Sequence, residues 1–182
     1  MLDLLLEKID CNDSEEVMDY LMEKYGQDIL FLAFSYVKNN EVAQDLTQEI
    51  FIKCFRALHT YKGASSVKTW IWRIAINHCK DYLKSWHYRN VMVSNNHWEN
   101  SRTSNESVET VVIHKEEDEM LSRAVLQLPV NYREVLYLYY FENHSLKELE
   151  VILKVNINTI KTRLRKAKQL LKKVLEEIDD GR

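Results

Sequence analysis

Residues 145–173, SLKELEVILKVNINTIKTRLRKAKQLLKK, decide the fold of this chain. The first part has apolar residues at helical spacing, and it opens with Ser145, followed three residues later by Glu148. This pair is typical of a capping box, in which two side chains satisfy backbone donors at a helix start. The second part has an apolar stripe at steps of three and four: Ile157, Ile160, Leu164, Ala167, Leu171 and Val174. Because only residues 154–156 separate the two parts, the sequence predicts two helices joined by a tight turn at a steep angle.

The second helix of this pair is basic. It carries Lys161, Arg163, Arg165, Lys166, Lys168, Lys172 and Lys173, and no acidic residue occurs from position 154 to 173. A basic amphipathic helix after a tight turn is typical of a helix-turn-helix that enters the DNA major groove. The alternative is an ordinary helix pair with a solvated lysine-rich face, since such patterns also occur by chance. The charge distribution favours DNA binding, because residues 1–52 hold twelve acidic residues against three lysines. An acidic N-terminal part and a basic C-terminal part suggest that the first binds a protein and the second binds a polyanion.

The composition predicts an all-α protein. Its 182 residues include three glycines and one proline, and 46% are hydrophobic. The net charge of -3 gives no bulk attraction to nucleic acid. Three cysteines without a CxxC pair fit reduced intracellular thiols. Without a secretory signal or a run of ~18 to 20 apolar residues, we expect a cytoplasmic chain with no membrane insertion.

The order of segments predicts two small helical domains joined by a polar linker. Helices are expected over residues 14–37, interrupted near Gly26, then from position 41 to 61 and from 67 to 86. Residues 91–114 are polar and lack a period, so they are the predicted linker between domains 1–90 and 115–182, the second containing the helix-turn-helix. Phe55 is expected to face the first core. Trp70 is expected on the open side of its helix, although at least one of Trp70 and Trp72 should be a core aromatic.

Catalytic patterns are poor, so we predict no enzyme activity, no metal site and no cofactor. The six histidines have no metal-binding spacing, and three glycines leave no phosphate-binding loop. No serine elbow is present. Asp45 and Glu49 lie one helical turn apart, but this spacing is commoner on a solvated face than at a metal site.

Three segments together resemble the extracytoplasmic-function sigma factors of bacterial RNA polymerase. They are DLTQEIFIKCFRAL, YKGASSVKTWIWRIAINHCKDYLK and LPVNYREVLYLYYFENHSLKELEVILKVNINTIKTRLRKAK, and the similarity covers about residues 14–173. The resemblance implies a promoter-specificity subunit that binds core RNA polymerase and promoter DNA. The first domain would grip the polymerase clamp and open the minus-ten element, and the second would read the minus-thirty-five element. It also implies an anti-sigma factor as a partner.

The resemblance, the basic and aromatic residues interleaved over 67–86, and the helix face opposite the apolar stripe of 157–174 together assign candidate residues to three surfaces. Polymerase binding falls on Asp45, Gln48 and Glu49. Minus-ten recognition falls on Tyr61, Lys62, Lys68, Trp70, Arg73, Asn77 and Lys80, with residues 61–67 as the loop that holds a flipped base. Minus-thirty-five recognition falls on Asn156, Thr159, Lys161, Thr162, Arg163, Arg165 and Lys166. Asn156 would cap the recognition helix, and Arg163 has a structural ion pair as its alternative role.

Two positions depart from the family pattern, because Lys154 and Asn158 stand where the family usually has glycine. A strained or differently shaped turn is expected there. The competing interpretation of the whole chain is a stand-alone helix-turn-helix regulator, with residues 1–90 as a sensor or dimerisation domain. The segment WIWRIAIN discriminates between the two, since a reader of duplex DNA has no use for a base-flipping pocket. A helical adaptor without a DNA role has little support.

Overall fold

The computed structural model describes residues 14–85 and 116–180. All regular secondary structure within these two ranges is helical, which confirms the predicted all-α class. The chain divides into two compact units, Met1–Ser104 and Asn105–Arg182. The predicted linker, residues 91–114, lies outside the described ranges, and the exact domain bounds stay predictions.

The N-terminal unit is built from three helices. They are α1 (Ser14–Val37), α2 (Asn40–Ala57) and α3 (Val67–Lys84), with a short 3-10 turn at Leu58–Thr60. Each helix packs against the other two. The largest fully buried side chains are Leu21, Ile29, Leu32, Leu46, Ile50, Ile71, Trp72 and Ile76. The predicted interruption of α1 at Gly26 is wrong, because the helix continues through it.

Side-chain caps fix where α2 and α3 begin. The Asn39 side chain accepts a hydrogen bond from the backbone N–H of Val42 at 3.0 Å. Ser66 Oγ accepts from the backbone N–H of Thr69 at 3.2 Å. Each cap satisfies a donor that the first turn of a helix leaves without a partner.

The C-terminal unit is built from four helices. They are α4 (Glu116–Gln127), α5 (Val130–Tyr140), α6 (Leu146–Leu153) and α7 (Ile157–Asp180). Helix α7 packs against the other three. Part of the core of the C-terminal unit is a cluster of Val125, Leu128, Leu136 and Ala167. The partly buried side chains of Leu121, Tyr132, Leu170 and Leu171 pack against this cluster. Burial of this apolar surface holds the basic helix in place.

The helix-turn-helix forms as predicted, with one difference at its turn. Ser145 and Glu148 make the capping box at the start of α6. Lys154 ends α6 in the left-handed region at φ 55° and ψ 42°, which favours glycine, so the expected strain falls on this residue. Asn158 lies in the first turn of α7, and its φ is not positive. The turn is therefore strained at one of the two departures only.

Two side chains of the N-terminal unit are not where the sequence placed them. Phe55 is 47% exposed, because the core side of α2 is filled by Ile50, Phe51 and Cys54. Trp70 is 5% exposed, so its expected position on the open side of α3 is wrong. Both Trp70 and Trp72 are core aromatics, and the buried face of α3 is wider than a single stripe.

Candidate nucleic-acid interfaces

A polar groove of about 610 Å³ runs along α7. Its lining is Tyr132, Asn156, Asn158, Thr159, Thr162, Arg163, Arg165, Lys166 and Gln169. Six of the seven residues assigned from sequence to minus-thirty-five recognition line it. The exception is Lys161, which is exposed but does not line the groove. This arrangement gives α7 a concave surface of hydroxyl, amide and cationic groups, the types that contact base edges and phosphates.

Sequence reasoning missed three lining residues. Asn158 and Gln169 follow the spacing 158, 162, 165 and 169, so a helical projection centred on Thr162 would have found them. Tyr132 comes from α5, and only the tertiary packing brings it to the groove.

The start of α7 is held by side chains on both sides of the turn. Asn156 Oδ1 accepts from the backbone N–H of Thr159 at 2.8 Å and from the Thr159 hydroxyl at 3.0 Å. Glu150 Oε1, on α6, accepts from the backbone N–H of Ile157 at 3.1 Å. Asn156 is thus the predicted cap of this helix. Because capping occupies its amide oxygen, its amide nitrogen is the group it can offer to DNA.

Arg163 forms an ion pair beneath the groove. Its Nη1 lies 3.2 Å from Oε1 of Glu134 on α5. The Glu134 side chain is fully buried, whereas that of Arg163 is 24% exposed. A buried carboxylate needs a cationic or hydrogen-bonding partner, so Arg163 has the structural role that the sequence left open. The part of its guanidinium that lines the groove remains able to donate.

The loop before α3 is closed by one tyrosine. The Tyr61 hydroxyl donates to the backbone carbonyl of Ser65, and the Tyr61 ring tilts against Trp70 with centroids 5.4 Å apart. Gly63 stands in this loop at φ 68°, where a side chain would be strained. The loop therefore rests on a buried indole and has a defined shape. Trp70 supports it from below and exposes too little of its ring to stack on a base.

The basic candidates of α3 divide between two sides of the helix. Arg73, Asn77 and Lys80 are half-buried and share one face by their helical spacing. Lys68 falls on a different side, and its charge acts on Asp28 of α1. Burial raises the pKa of the Asp28 carboxyl, and Lys68 partly opposes this rise. Lys62 is exposed on the loop.

An exposed face of α2 combines polar and apolar groups. Asp45, Gln48 and Glu49 are exposed, and the same face continues to Ile52 and Phe55, which are 50% and 47% exposed. We call these five residues the α2 face. Two large apolar side chains in water at helical spacing suit a protein interface better than a solvated surface. Sequence reasoning missed them, although steps of three and four from Asp45 lead through Gln48 to both.

The described ranges contain neither a candidate metal site nor a candidate membrane-spanning helix. No group of three or more histidine, cysteine or acidic residues there is arranged to hold a metal ion. No helix in those ranges combines the length and the apolar character that crossing a membrane requires.

Both units match models of known families. The model described as Sigma-70 region 2 matches residues 21–87, which include α2 and α3. The model described as Sigma-70, region 4 matches residues 118–171, which include the helix-turn-helix.

Similar proteins cover nearly the full length of the chain. The RNA polymerase sigma factor SigV of Bacillus subtilis is 32% identical over 158 residues, which are 85% of this chain and 89% of that protein. The ECF RNA polymerase sigma factor SigM of the same organism is 32% identical over 155 residues, 85% of this chain and 93% of that protein. Among solved structures, the sigma factor RpoE in complex with the anti-sigma factor NepR from Bartonella quintana matches with a TM-score of 0.66. That match has 21% identity over 89% of this chain and 98% of the other, so it shows a shared fold.

Proposed function

The chain belongs to the extracytoplasmic-function sigma factors of bacterial RNA polymerase, and we propose how its surfaces direct core polymerase to promoters and start transcription. The groove along α7 reads the minus-thirty-five element as duplex DNA. The loop of residues 61–66 and one face of α3 hold the opened minus-ten strand. The α2 face binds polymerase. The protein contributes specificity without catalysing a reaction, and it acts in the cytoplasm with the polymerase.

The observation that carries this proposal is the groove itself. Thr162, Arg165 and Lys166 line it on a helix whose start is fixed by caps and whose second turn is held by the ion pair of Arg163 with the buried Glu134. Arginine and lysine suit guanine edges, and a threonine methyl suits thymine. Because the helix is held rigidly, little order has to be gained when DNA binds, which favours sequence discrimination.

The support for minus-ten recognition is the shaped loop beside Arg73, Asn77 and Lys80. Extracting a base costs a few kcal/mol, so the protein must return hydrogen bonds to the base edge. The Asn77 amide offers both a donor and an acceptor, and the two cations suit the phosphates of a single strand. Tyr61 contributes by closing the loop, and its ring is half-buried on Trp70.

The support for polymerase binding is the mixed character of the α2 face. Ile52 and Phe55 provide apolar contact area, while Asp45 and Glu49 provide negative charge toward a basic partner. The B. quintana sigma factor was solved with an anti-sigma factor, and we propose that a partner of this kind covers surfaces of the present chain. The exposed Tyr140 and Phe141, 44% and 47% exposed, provide apolar area for it in the C-terminal unit.

The experiment that tests the proposal is promoter-dependent transcription with purified core polymerase, with and without this protein, on a pool of bacterial promoter fragments. New starts at a defined sequence are expected. Arg165→Ala should reduce them about tenfold, because a good base contact is worth about 1–3 kcal/mol. Lys173→Ala, which removes an exposed cation outside the groove, is the matched control. Asn77→Ala should weaken promoter opening more than closed-complex binding.

The outcome also separates the competing interpretation. If no new start appears and the protein does not co-purify with core polymerase, the proposal is wrong. Sequence-specific binding of duplex DNA without polymerase would then favour a stand-alone regulator.

A further inference from the structure

The imidazole ring of His78 lies between two oppositely charged side chains of a neighbouring helix. Its Nε2 is 2.7 Å from Oε2 of Glu49, and its Nδ1 is 2.6 Å from Nζ of Lys53. Glu49 and Lys53 both belong to α2, whereas His78 belongs to α3. One ring therefore joins two helices through two hydrogen bonds.

This arrangement differs from what α2 would do by itself. Glutamate and lysine at positions i and i+4 in this order normally pair with each other along the helix surface. Here the histidine ring takes a hydrogen bond from one partner and gives one to the other. An ammonium group can only donate, so Nδ1 of His78 must accept from Lys53. The ring proton then lies on Nε2, and it is donated to the Glu49 carboxylate.

These two hydrogen bonds hold the Glu49 carboxylate in a fixed direction. His78 is 8% exposed, so the ring is held by the core, whereas the Glu49 side chain is 60% exposed. The contact with the histidine is made by Oε2, and the 60% exposed side chain leaves carboxylate surface available to a partner of the α2 face. A flexible glutamate would lose rotamer freedom on binding a partner, but this one has already lost it.

We infer that His78 is a positioning residue that orients Glu49 for a cationic group of core polymerase. The inference rests on the proposed role of the α2 face. His78 acts from the opposite side of Glu49 and makes no contact with the partner. Asn77, one position before it on the same helix, belongs to the minus-ten candidates, so α3 carries adjacent residues for two different tasks.

Two substitutions of His78 separate orientation from packing. In His78→Gln the amide nitrogen lies close to the position of Nε2, so it still donates to Glu49. In His78→Asn the shorter amide lies close to Nδ1, so it keeps the acceptor for Lys53 and loses the bond to Glu49. Both changes remove the buried ring. A role in packing alone would make them similar.

The test measures equilibrium binding of the full-length protein to purified core polymerase, with the thermal midpoint of each variant recorded alongside. Glu49→Gln should weaken binding about threefold to tenfold, because the lost contact is charged but partly exposed. His78→Asn should weaken it by a similar factor, and His78→Gln by less than about twofold. The double variant of His78→Asn and Glu49→Gln should bind no more weakly than Glu49→Gln. Glu23→Gln, an exposed acidic residue on α1, is the control and should change nothing.

Each other outcome overturns a defined part of the reasoning. If Glu49→Gln weakens binding and His78→Asn does not, the positioning role is wrong while the α2 face stands. If both His78 variants weaken binding equally and in step with their thermal midpoints, His78 is only a packing residue. If Glu49→Gln binds like the unaltered protein, the proposed role of Glu49 fails, and the inference fails with it.

Discussion

The ion pair between Arg163 and Glu134 should be a main support of the C-terminal unit. Replacing Arg163 by Met keeps an aliphatic chain of similar length but removes one charged partner of the fully buried Glu134 carboxylate. Breaking a buried pair from one side costs about 3–5 kcal/mol when both groups are inaccessible to water. Arg163 is 24% exposed, so water can partly replace it, and we expect a loss of about 2–3 kcal/mol.

The converse substitution should cost less. Glu134→Gln leaves Arg163 at the edge of the groove, where its guanidinium can turn toward water, so a loss of about 1–2 kcal/mol is expected. The double variant should lose less free energy of unfolding than the two single variants added together. Each single substitution already breaks the ion pair, so the second substitution cannot break it again.

The distribution of tryptophan makes the assay specific to one unit. Trp70 and Trp72 are buried in the N-terminal unit, and no tryptophan follows Asn105, so the change in tryptophan fluorescence on unfolding reports the N-terminal unit. Far-ultraviolet circular dichroism in urea reports both units. Arg163→Met should shift unfolding of the C-terminal unit to lower urea concentration. This shift should be seen by circular dichroism and not by fluorescence. A dichroism curve that stays in place, or a fluorescence curve that moves as far, would refute the structural role of the pair.

Three further perturbations test other parts of the structure. Lys154→Gly should stabilise the C-terminal unit by about 0.5–1 kcal/mol, since it relieves a positive φ, and a lower dichroism midpoint in urea would contradict this. Asp28→Asn should raise the thermal midpoint at neutral pH. Burial raises the pKa of the Asp28 carboxyl, so the ionised carboxyl destabilises the folded protein above that pKa. The gain should vanish as pH falls below about 3.9, where the unfolded carboxyl is also protonated, and a gain that persists there would exclude this cause. Burial raises the pKa of the Cys54 and Cys79 thiols to about 12, so a Cys11→Ser variant should react with a thiol reagent at pH 8 only on unfolding, and fast labelling of the folded protein would show that they are accessible.

The parts of the structure that the sequence predicted correctly depend on local rules. A capping box needs only Ser145 and Glu148 at the right spacing, and the cap at Asn156 needs only the adjacent turn. The apolar stripe of α7 likewise follows from a period within one helix. These features involve residues within a turn or two of each other, so no knowledge of the tertiary structure was required.

The parts that the sequence predicted wrongly depend on what packs against each helix. Phe55 belongs to an apolar pattern wider than the contact that α2 makes, so only the packing decides that it stays exposed. Trp70 lies in a row of basic residues, but the loop ring of Tyr61 covers it. His78 had no interpretable spacing with any other histidine, because its partners are 25 and 29 positions away on another helix. Pairings of this kind depend on how two helices are set against each other, which no local pattern encodes.

The hydrogen bonds at the start of α7 have a thermodynamic consequence for DNA binding. The backbone N–H of Ile157 donates a hydrogen bond to Glu150, and that of Thr159 donates one to Asn156. Glu150 also brings a negative charge to that end of the helix. A helix start normally attracts phosphate through such groups, but here they are occupied and partly neutralised. Attraction to the DNA backbone then comes mainly from cationic side chains, each of which displaces condensed counterions. The slope of log affinity against log salt concentration for the minus-thirty-five element would thus be set mainly by lysines and arginines, at about 0.9 per phosphate contact, with a reduced contribution from the helix end.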